Sequence, residues 1–135
     1  MAKQTKGRIL IVDDQENWRK VLGQLLAEYE LSFASSFEEA VLALEQKRFN
    51  LAIVDVRLVD KDIFNVEGVE LMKIIKRSGA QMGLIILTGY PDDIKRNMLE
   101  IYKPDDLLLK VPENERFDSD AFRKRVATLI EKYTV

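Results

Sequence analysis

Arg8-Ile-Leu-Ile-Val-Asp-Asp, residues 8–14, is the stretch that decides the fold, because a short apolar run there ends in two carboxylates. A continuous run of β-branched residues and leucine is typical of a strand covered on both faces. Leu51-Ala-Ile-Val-Asp repeats the pattern further along the chain. Since the carboxyl ends of parallel strands meet at one edge of an α/β sheet, Asp13, Asp14 and Asp55 are predicted to lie together. Three such carboxylates repel one another unless a cation neutralises them, and hard oxygen ligands favour Mg²⁺.

Apolar runs alternate with amphipathic helical patterns along the rest of the chain. The predicted strands cover 9–12, 31–34, 51–56, 83–87 and 107–109, and the predicted helices cover 16–29, 37–47, 66–77, 92–102 and 117–132. This alternation predicts a doubly wound, five-stranded parallel α/β sheet with helices on both faces. Asp14 and Ser36 are the expected N-caps of the first two helices.

Length and composition narrow the class of protein. The 135 residues fit one domain spanning 1–135, of which 1–7 are expected to be a disordered N-terminal segment. The net charge of −2 shows no basic excess, so neither direct nucleic-acid binding nor membrane binding is expected. Cysteine and histidine are absent, which excludes disulfides, thiolate or imidazole metal sites and histidine-based catalysis. No apolar run approaches the roughly 20 residues that span a bilayer, so a cytoplasmic location is expected.

Five polar residues lie at or just past the carboxyl ends of predicted strands. Asp13 and Asp14 lie at the end of the first, Asp55 of the third, Thr88 of the fourth and Lys110 of the fifth. A carboxylate such as Asp55 can act as a nucleophile and carry an acyl phosphate. The acid pair can hold Mg²⁺, the lysine offers a point cation for a phosphoryl oxygen, and the threonine hydroxyl can donate to another. This set is what a phosphoryl-accepting site needs, although each residue taken singly also suits a turn, a cap or a solvated strand end.

The chain resembles the response-regulator receiver domains of two-component signalling over nearly its whole length. The matching motifs are Ile9-Leu-Ile-Val-Asp-Asp-Gln-Glu, Leu51-Ala-Ile-Val-Asp, Glu67-Gly-Val-Glu-Leu, Leu84-Ile-Ile-Leu-Thr-Gly and Leu107-Leu-Leu-Lys. The resemblance implies a flavodoxin-like sheet of strand order 2-1-3-4-5. It also implies a signalling switch, rather than a metabolic enzyme, that assists its own phosphorylation and dephosphorylation.

The same resemblance implies roles for the site residues and for partners. Asp55 would be the phosphoacceptor, assisted by Lys110 and Thr88. Asp14, Asp55 and the backbone carbonyl of Arg57 would bind Mg²⁺, with Asp13 acting mainly through a bound water. The donor would be a histidine kinase or a phosphotransfer protein. The output would be an unknown partner or a homodimer, docked on the face formed by the fourth helix, fifth strand and fifth helix of the prediction.

Four features depart from the family pattern. The loop between Asp55 and Gly68 is about five residues longer than usual, and Arg57 within it could contact or shield a phosphoryl group. Val111 separates Lys110 from Pro112, where the family commonly has Lys-Pro. Leu107 stands where the family usually has the aromatic residue that couples the threonine to the output face, a part that Tyr102 could take.

Two other functions compete with a phosphorylated switch. The missing aromatic favours a receiver-like interaction module that acts without phosphorylation, whereas the complete acid set disfavours it. An enzyme or flavin carrier on the same fold fits poorly. A phosphatase of the haloacid-dehalogenase type would need Asp-x-Asp after the first strand, and Asp13-Asp14-Gln15 lacks it. The acidic residues there would also repel the phosphate of a flavin.

Overall fold

The computed structural model describes residues 7–55, 67–77, 81–89, 103–110 and 117–133. Within these ranges the elements are β1 (Arg8–Val12), α1 (Glu16–Leu25), β2 (Glu30–Ala34), α2 (Phe37–Gln46), β3 (Leu51–Val54), α3 (Glu67–Arg77), β4 (Gly83–Thr88), β5 (Asp106–Leu109) and α4 (Ser119–Lys132). The five strands are parallel and lie in the order β2-β1-β3-β4-β5, which confirms the predicted sheet. Residues 1–6 of the predicted N-terminal segment and the predicted helix 92–102 lie outside the described residues.

Alternate residues of each central strand feed two separate cores, one on each face of the sheet. Leu10 and Val12 of β1 belong to the core that includes residues of α2 and α3. Ile9 and Ile11 belong to the core that includes residues of α1 and α4. Because both faces are covered, the central strands are apolar apart from Arg8 at the start of β1 and Thr88 at the end of β4, as the sequence pattern predicted. Among the described helices, none is both long enough and apolar enough to cross a membrane.

The ladder of backbone hydrogen bonds continues one residue past several strands and so sets the backbone of the site. The Asp13 N–H donates to the Ala34 carbonyl at 3.0 Å, and the Asp55 N–H donates to the Val12 carbonyl at 2.9 Å. At the far side of the sheet, the Lys110 N–H donates to the Thr88 carbonyl at 2.8 Å. The polar residues that follow β1, β3 and β5 therefore occupy the same edge as the end of β4.

The ends of the helices differ from the sequence prediction in four places, one of which is that α2 ends at Gln46, one residue before the predicted end. The N-cap of α1 is Gln15, so the prediction of Asp14 was wrong; the Gln15 N–H is instead satisfied by Asp13 Oδ1 at 2.9 Å. That helix stops at Leu25, short of 29, since the chain must turn before it enters β2 at Glu30. The last helix begins at Ser119, because Asp118 caps it.

The predicted cap of α2 is confirmed. Ser36 Oγ accepts a hydrogen bond from the Glu39 N–H at 3.2 Å. The Glu39 carboxylate reaches back and accepts from both the N–H and the hydroxyl of Ser35. This reciprocal pattern is close to a capping box and satisfies donors at the start of the helix.

Candidate functional site

Three carboxylates meet at the carboxyl edge of the sheet. One oxygen from each of Asp13, Asp14 and Asp55 lies within 4.8 Å of the others. The side chains of Asp13 and Asp55 are only 2% and 1% exposed. Burial removes water that would otherwise screen the charges, so the mutual repulsion is stronger than at the surface. The sequence prediction that these carboxylates lie together is confirmed.

Lys110 brings a cation into this cluster from the end of β5. Its Nζ donates a hydrogen bond to Asp55 Oδ2 at 2.9 Å. It also lies 2.8 Å from Asp13 Oδ2, an ion-pair distance, although that approach lacks the alignment of a hydrogen bond. The lysine side chain is 8% exposed, so the ammonium depends on these protein oxygens for much of its solvation.

The pKa shifts show how burial and charge compete here. Burial lowers the pKa of Lys110, but the attraction of Asp13 and Asp55 outweighs this effect and leaves that pKa above its usual value. Burial raises the pKa of Asp13, and the nearby ammonium of Lys110 only partly offsets the rise. Lys110 therefore stays charged, and within the described part of the chain its single ammonium faces a cluster of three carboxylates.

The donor set fits a divalent cation. Carboxylate oxygens are the hard ligands that Mg²⁺ prefers, and three come from Asp13, Asp14 and Asp55. Asp13 Oδ2 is buried with Lys110 Nζ 2.8 Å away, and a carboxylate oxygen can accept from more than one partner, so a further ligand or a bridging water is compatible with this ion pair. The residues present therefore fit the predicted metal.

Thr88 lies where the sequence predicted, at the carboxyl edge of the sheet, whereas several other residues singled out from the sequence lie outside the described part of the chain. Thr88 is the last residue of β4 and is fully buried. Leu107, at the usual aromatic position, is partly buried against the core that includes α2 and α3. Arg57, Tyr102, Val111 and the long loop from 56 to 66 lie outside the described residues, and so the sequence inferences about them stay predictions.

Three residues near the site were missed by the sequence reasoning. Gln15 Oε1 accepts a hydrogen bond from Lys110 Nζ at 2.7 Å. The same ammonium lies 5.4 Å from the ring centroid of Trp18. Arg19 Nη1 donates to the Asp13 carbonyl at 2.7 Å and so helps to hold the backbone of the acid pair. The only signal in the sequence was that all three closely follow Asp14 and begin the first helix.

Known structures share this fold. A CheY-like response regulator receiver domain from Methanospirillum hungatei JF-1 is 24% identical, with a TM-score of 0.76 over 93% of this chain and 94% of that one. The response regulator TrrA from Thermotoga maritima, solved in complex with Mg²⁺-BeF, is 28% identical, with a TM-score of 0.71 over 90% of this chain and 97% of that one. The signal receiver domain of an HD-domain protein from Pseudomonas fluorescens Pf-5 is 23% identical, with a TM-score of 0.76 over 97% of this chain and 98% of that one.

Sequence comparison gives the family directly. No curated protein sequence matches the chain at a significant level. The family model of the response regulator receiver domain matches residues 9–132, which include every element of the described fold except Arg8 at its start. The carboxylate cluster and its lysine lie inside this match, so the chain belongs to the response regulator receiver domain family.

Proposed function

We propose that this receiver domain is a phosphorylatable switch that accepts a phosphoryl group on Asp55 from a histidine kinase or a phosphotransfer protein. The observation that carries the proposal is the setting of Asp55. Its carboxylate is buried at the end of β3, hydrogen-bonded to Lys110 and grouped with Asp13 and Asp14. A structural carboxylate would not need two further acids beside it, because their repulsion costs stability.

Each residue of the site has a separate role in the proposed phosphoryl transfer. An Asp55 oxygen forms a bond to phosphorus while the bond from phosphorus to the donor nitrogen breaks, and the departing imidazole keeps that electron pair. Lys110 offers its ammonium to a phosphoryl oxygen, and the Thr88 hydroxyl donates to another. Asp14, Asp55 and the Arg57 carbonyl would hold Mg²⁺, with Asp13 acting mainly through a bound water, and the ion would supply charge neutralisation for the phosphoryl oxygens. Attack of water on phosphorus later restores the Asp55 carboxylate and releases phosphate.

Two comparisons support the metal and the phosphoryl chemistry. Receiver domains bind Mg²⁺ at an acidic site, and this chain has such a cluster. TrrA from T. maritima, which is similar to this chain, was solved in complex with Mg²⁺-BeF.

The output face and the location complete the proposal. The phosphorylated domain regulates a partner, or forms a homodimer, through the face made by the predicted helix 92–102, β5 and α4. It acts in the cytoplasm, without contacting a membrane or nucleic acid itself. A second candidate is an interaction module that works without phosphorylation, and the observation that favours it is Leu107 in place of the usual aromatic residue.

Intact mass spectrometry tests which candidate is right. After incubation with a small acyl phosphate donor and Mg²⁺, we expect the protein to gain the mass of one phosphoryl group. Asp55→Asn should gain none. Asp118→Asn, a matched change at an exposed helix cap that retains a capping side chain, should behave as the wild type. Phosphoryl mass on Asp55→Asn would show a different acceptor, whereas an unmodified wild type would favour the interaction module.

A further inference from the structure

The ammonium of Lys110 has two contacts that the phosphoryl chemistry leaves unexplained. Within the described residues its side chain makes two hydrogen bonds, one to Asp55 and the other to Gln15 Oε1 at 2.7 Å. It also lies 5.4 Å from the ring centroid of Trp18. Gln15 is the N-cap of α1 and Trp18 lies in its first turn, three residues later, a spacing that places both on one side of the helix. The start of α1 therefore approaches the end of β5 through this cation.

These two contacts are suited to holding the Lys110 ammonium while Asp55 is unphosphorylated. The Gln15 amide accepts a hydrogen bond without adding a negative charge to an already crowded site. The face of an indole attracts a cation through its ring quadrupole and also excludes water from that side. Gln15 and Trp18 therefore hold the ammonium by orientation and shielding, whereas Asp13 and Asp55 hold it by charge.

We propose that Gln15 and Trp18 are positioning residues that form a seat for the Lys110 ammonium before phosphorylation, and that Lys110 leaves this seat when Asp55 carries a phosphoryl group. The inference rests on the proposed phosphorylation of Asp55. A phosphoryl group brings close to two negative charges and three acceptor oxygens, and a neutral amide and a ring cannot compete with it for an ammonium. The seat therefore stabilises the unphosphorylated state more than the phosphorylated one.

The seat also connects the site to the last helix. The rings of Trp18 and Phe117 meet edge to face, with centroids 5.6 Å apart and an interplanar angle of 86°. Phe117 directly precedes the cap of α4. Its ring packs in turn on the ring of Phe122, with centroids 5.4 Å apart. Departure of the ammonium changes the surroundings of the first ring in this series. The contact offers a route from the site to α4 that does not need an aromatic residue at Leu107.

Kinetics of two opposite changes at Gln15 test the seat. Gln15→Ala removes an acceptor that acts only in the resting state, so we expect phosphorylation by a small acyl phosphate to be about fivefold faster and dephosphorylation to change less than about twofold. Gln15→Glu keeps the acceptor and adds charge, so phosphorylation should become slower than in the wild type. Asn17→Asp, which adds a charge on the exposed side of α1, should leave both rates near the wild-type values.

The signs of these effects separate positioning from structural damage. A general loss of order would move Gln15→Ala and Gln15→Glu in the same direction, and that result would overturn the seat. Equal changes in the phosphorylation and dephosphorylation rates of Gln15→Ala would also overturn the seat. If Gln15→Ala does not fold, a Gln15→Glu rate at or above the wild-type rate is the result that overturns it.

Trp18 is the only tryptophan of the chain, so its fluorescence reports the seat directly. Indole emission responds to a nearby charge. The unphosphorylated wild type should therefore differ from Lys110→Met, and its emission should move towards that of Lys110→Met as the phosphorylated mass fraction rises. Identical resting spectra would overturn the seat, and constant emission in fully phosphorylated protein would overturn the departure. A wild type that never gains phosphoryl mass would refute the proposed function and the departure, while the comparison with Lys110→Met would still decide whether the resting seat exists.

Discussion

At the scale of single residues, the site is governed by an imbalance of charge. Among the described residues, the three grouped carboxylates of Asp13, Asp14 and Asp55 are accompanied by one buried ammonium, that of Lys110, which pairs with Asp13 and Asp55. Their meeting was predictable because each follows a strand of a parallel sheet, and strand ends converge on one edge. Gln15 and Trp18 were not predictable as contacts of Lys110, because they belong to the cap and the first turn of a helix. Whether a helical side chain reaches the end of β5 depends on how α1 is tilted over the sheet, which sequence periodicity does not specify.

Lys110→Met should destabilise the protein strongly in metal-free buffer. The change leaves Asp13 and Asp55 buried without their cation, and removing one partner of a buried ion pair costs about 3 kcal/mol or more. Mg²⁺ should restore part of the loss, since it brings positive charge to the same oxygens. Urea unfolding with and without Mg²⁺ measures both effects. Lys20→Met removes an exposed ion pair with Glu16 and should cost at most about 0.5 kcal/mol, so equal losses in the two variants would contradict this account.

At the scale of helices and strands, local signals predicted some ends well and others badly. Ser36 was predictable as a cap because its partner, Glu39, lies three residues away in the same turn. Asp14 has the right residue type for a cap but belongs to the acid cluster, and the cap position falls one residue later on Gln15. The tertiary demand of the site thus overrides the local preference at the start of α1.

The start of α2 should add a pH-dependent contribution to stability. The N–H and hydroxyl of Ser35 donate to the Glu39 carboxylate and lower its pKa below the ordinary 4.5. Because the folded pKa is the lower one, the contribution is present above the ordinary pKa and is lost as the pH falls through the folded pKa. The difference in unfolding free energy between the wild type and Glu39→Gln should therefore shrink as the pH falls from about 6 to about 3.

Denaturant unfolding across that pH range measures the difference. Glu38→Gln serves as the control, because it removes a carboxylate from the same first turn but leaves both hydrogen bonds of Ser35 in place. A difference between the wild type and Glu39→Gln that stayed constant with pH would show that the Ser35 hydrogen bonds do not stabilise the fold.

At the scale of the whole molecule, the alternation of strands and helices was enough to predict the sheet, and the family resemblance supplied its strand order. The side-chain contacts at the amino-terminal ends of the strands were not predicted from the sequence. There Asp105 accepts hydrogen bonds from the Leu84 N–H at 2.9 Å and the Tyr133 hydroxyl at 3.0 Å. These contacts tie the end of α4 to the beginning of β4. They join residues from distant parts of the chain, and no spacing in the sequence signals them.

Mg²⁺ should stabilise the whole fold. A cation that binds only the native state adds RT ln(1 + [L]/Kd), about 1.4 kcal/mol at ten times Kd, or a rise of about 5 °C in Tm for a chain of this size. Thermal melts at matched ionic strength test this, because salt alone also screens the three carboxylates. Without Mg²⁺, Asp55→Asn should melt above the wild type, since one repelling charge is gone while an oxygen remains for Lys110. Identical wild-type midpoints with and without millimolar Mg²⁺ would rule out the metal site. A lower midpoint for Asp55→Asn would instead mean that the ion pair with Lys110 outweighs the repulsion.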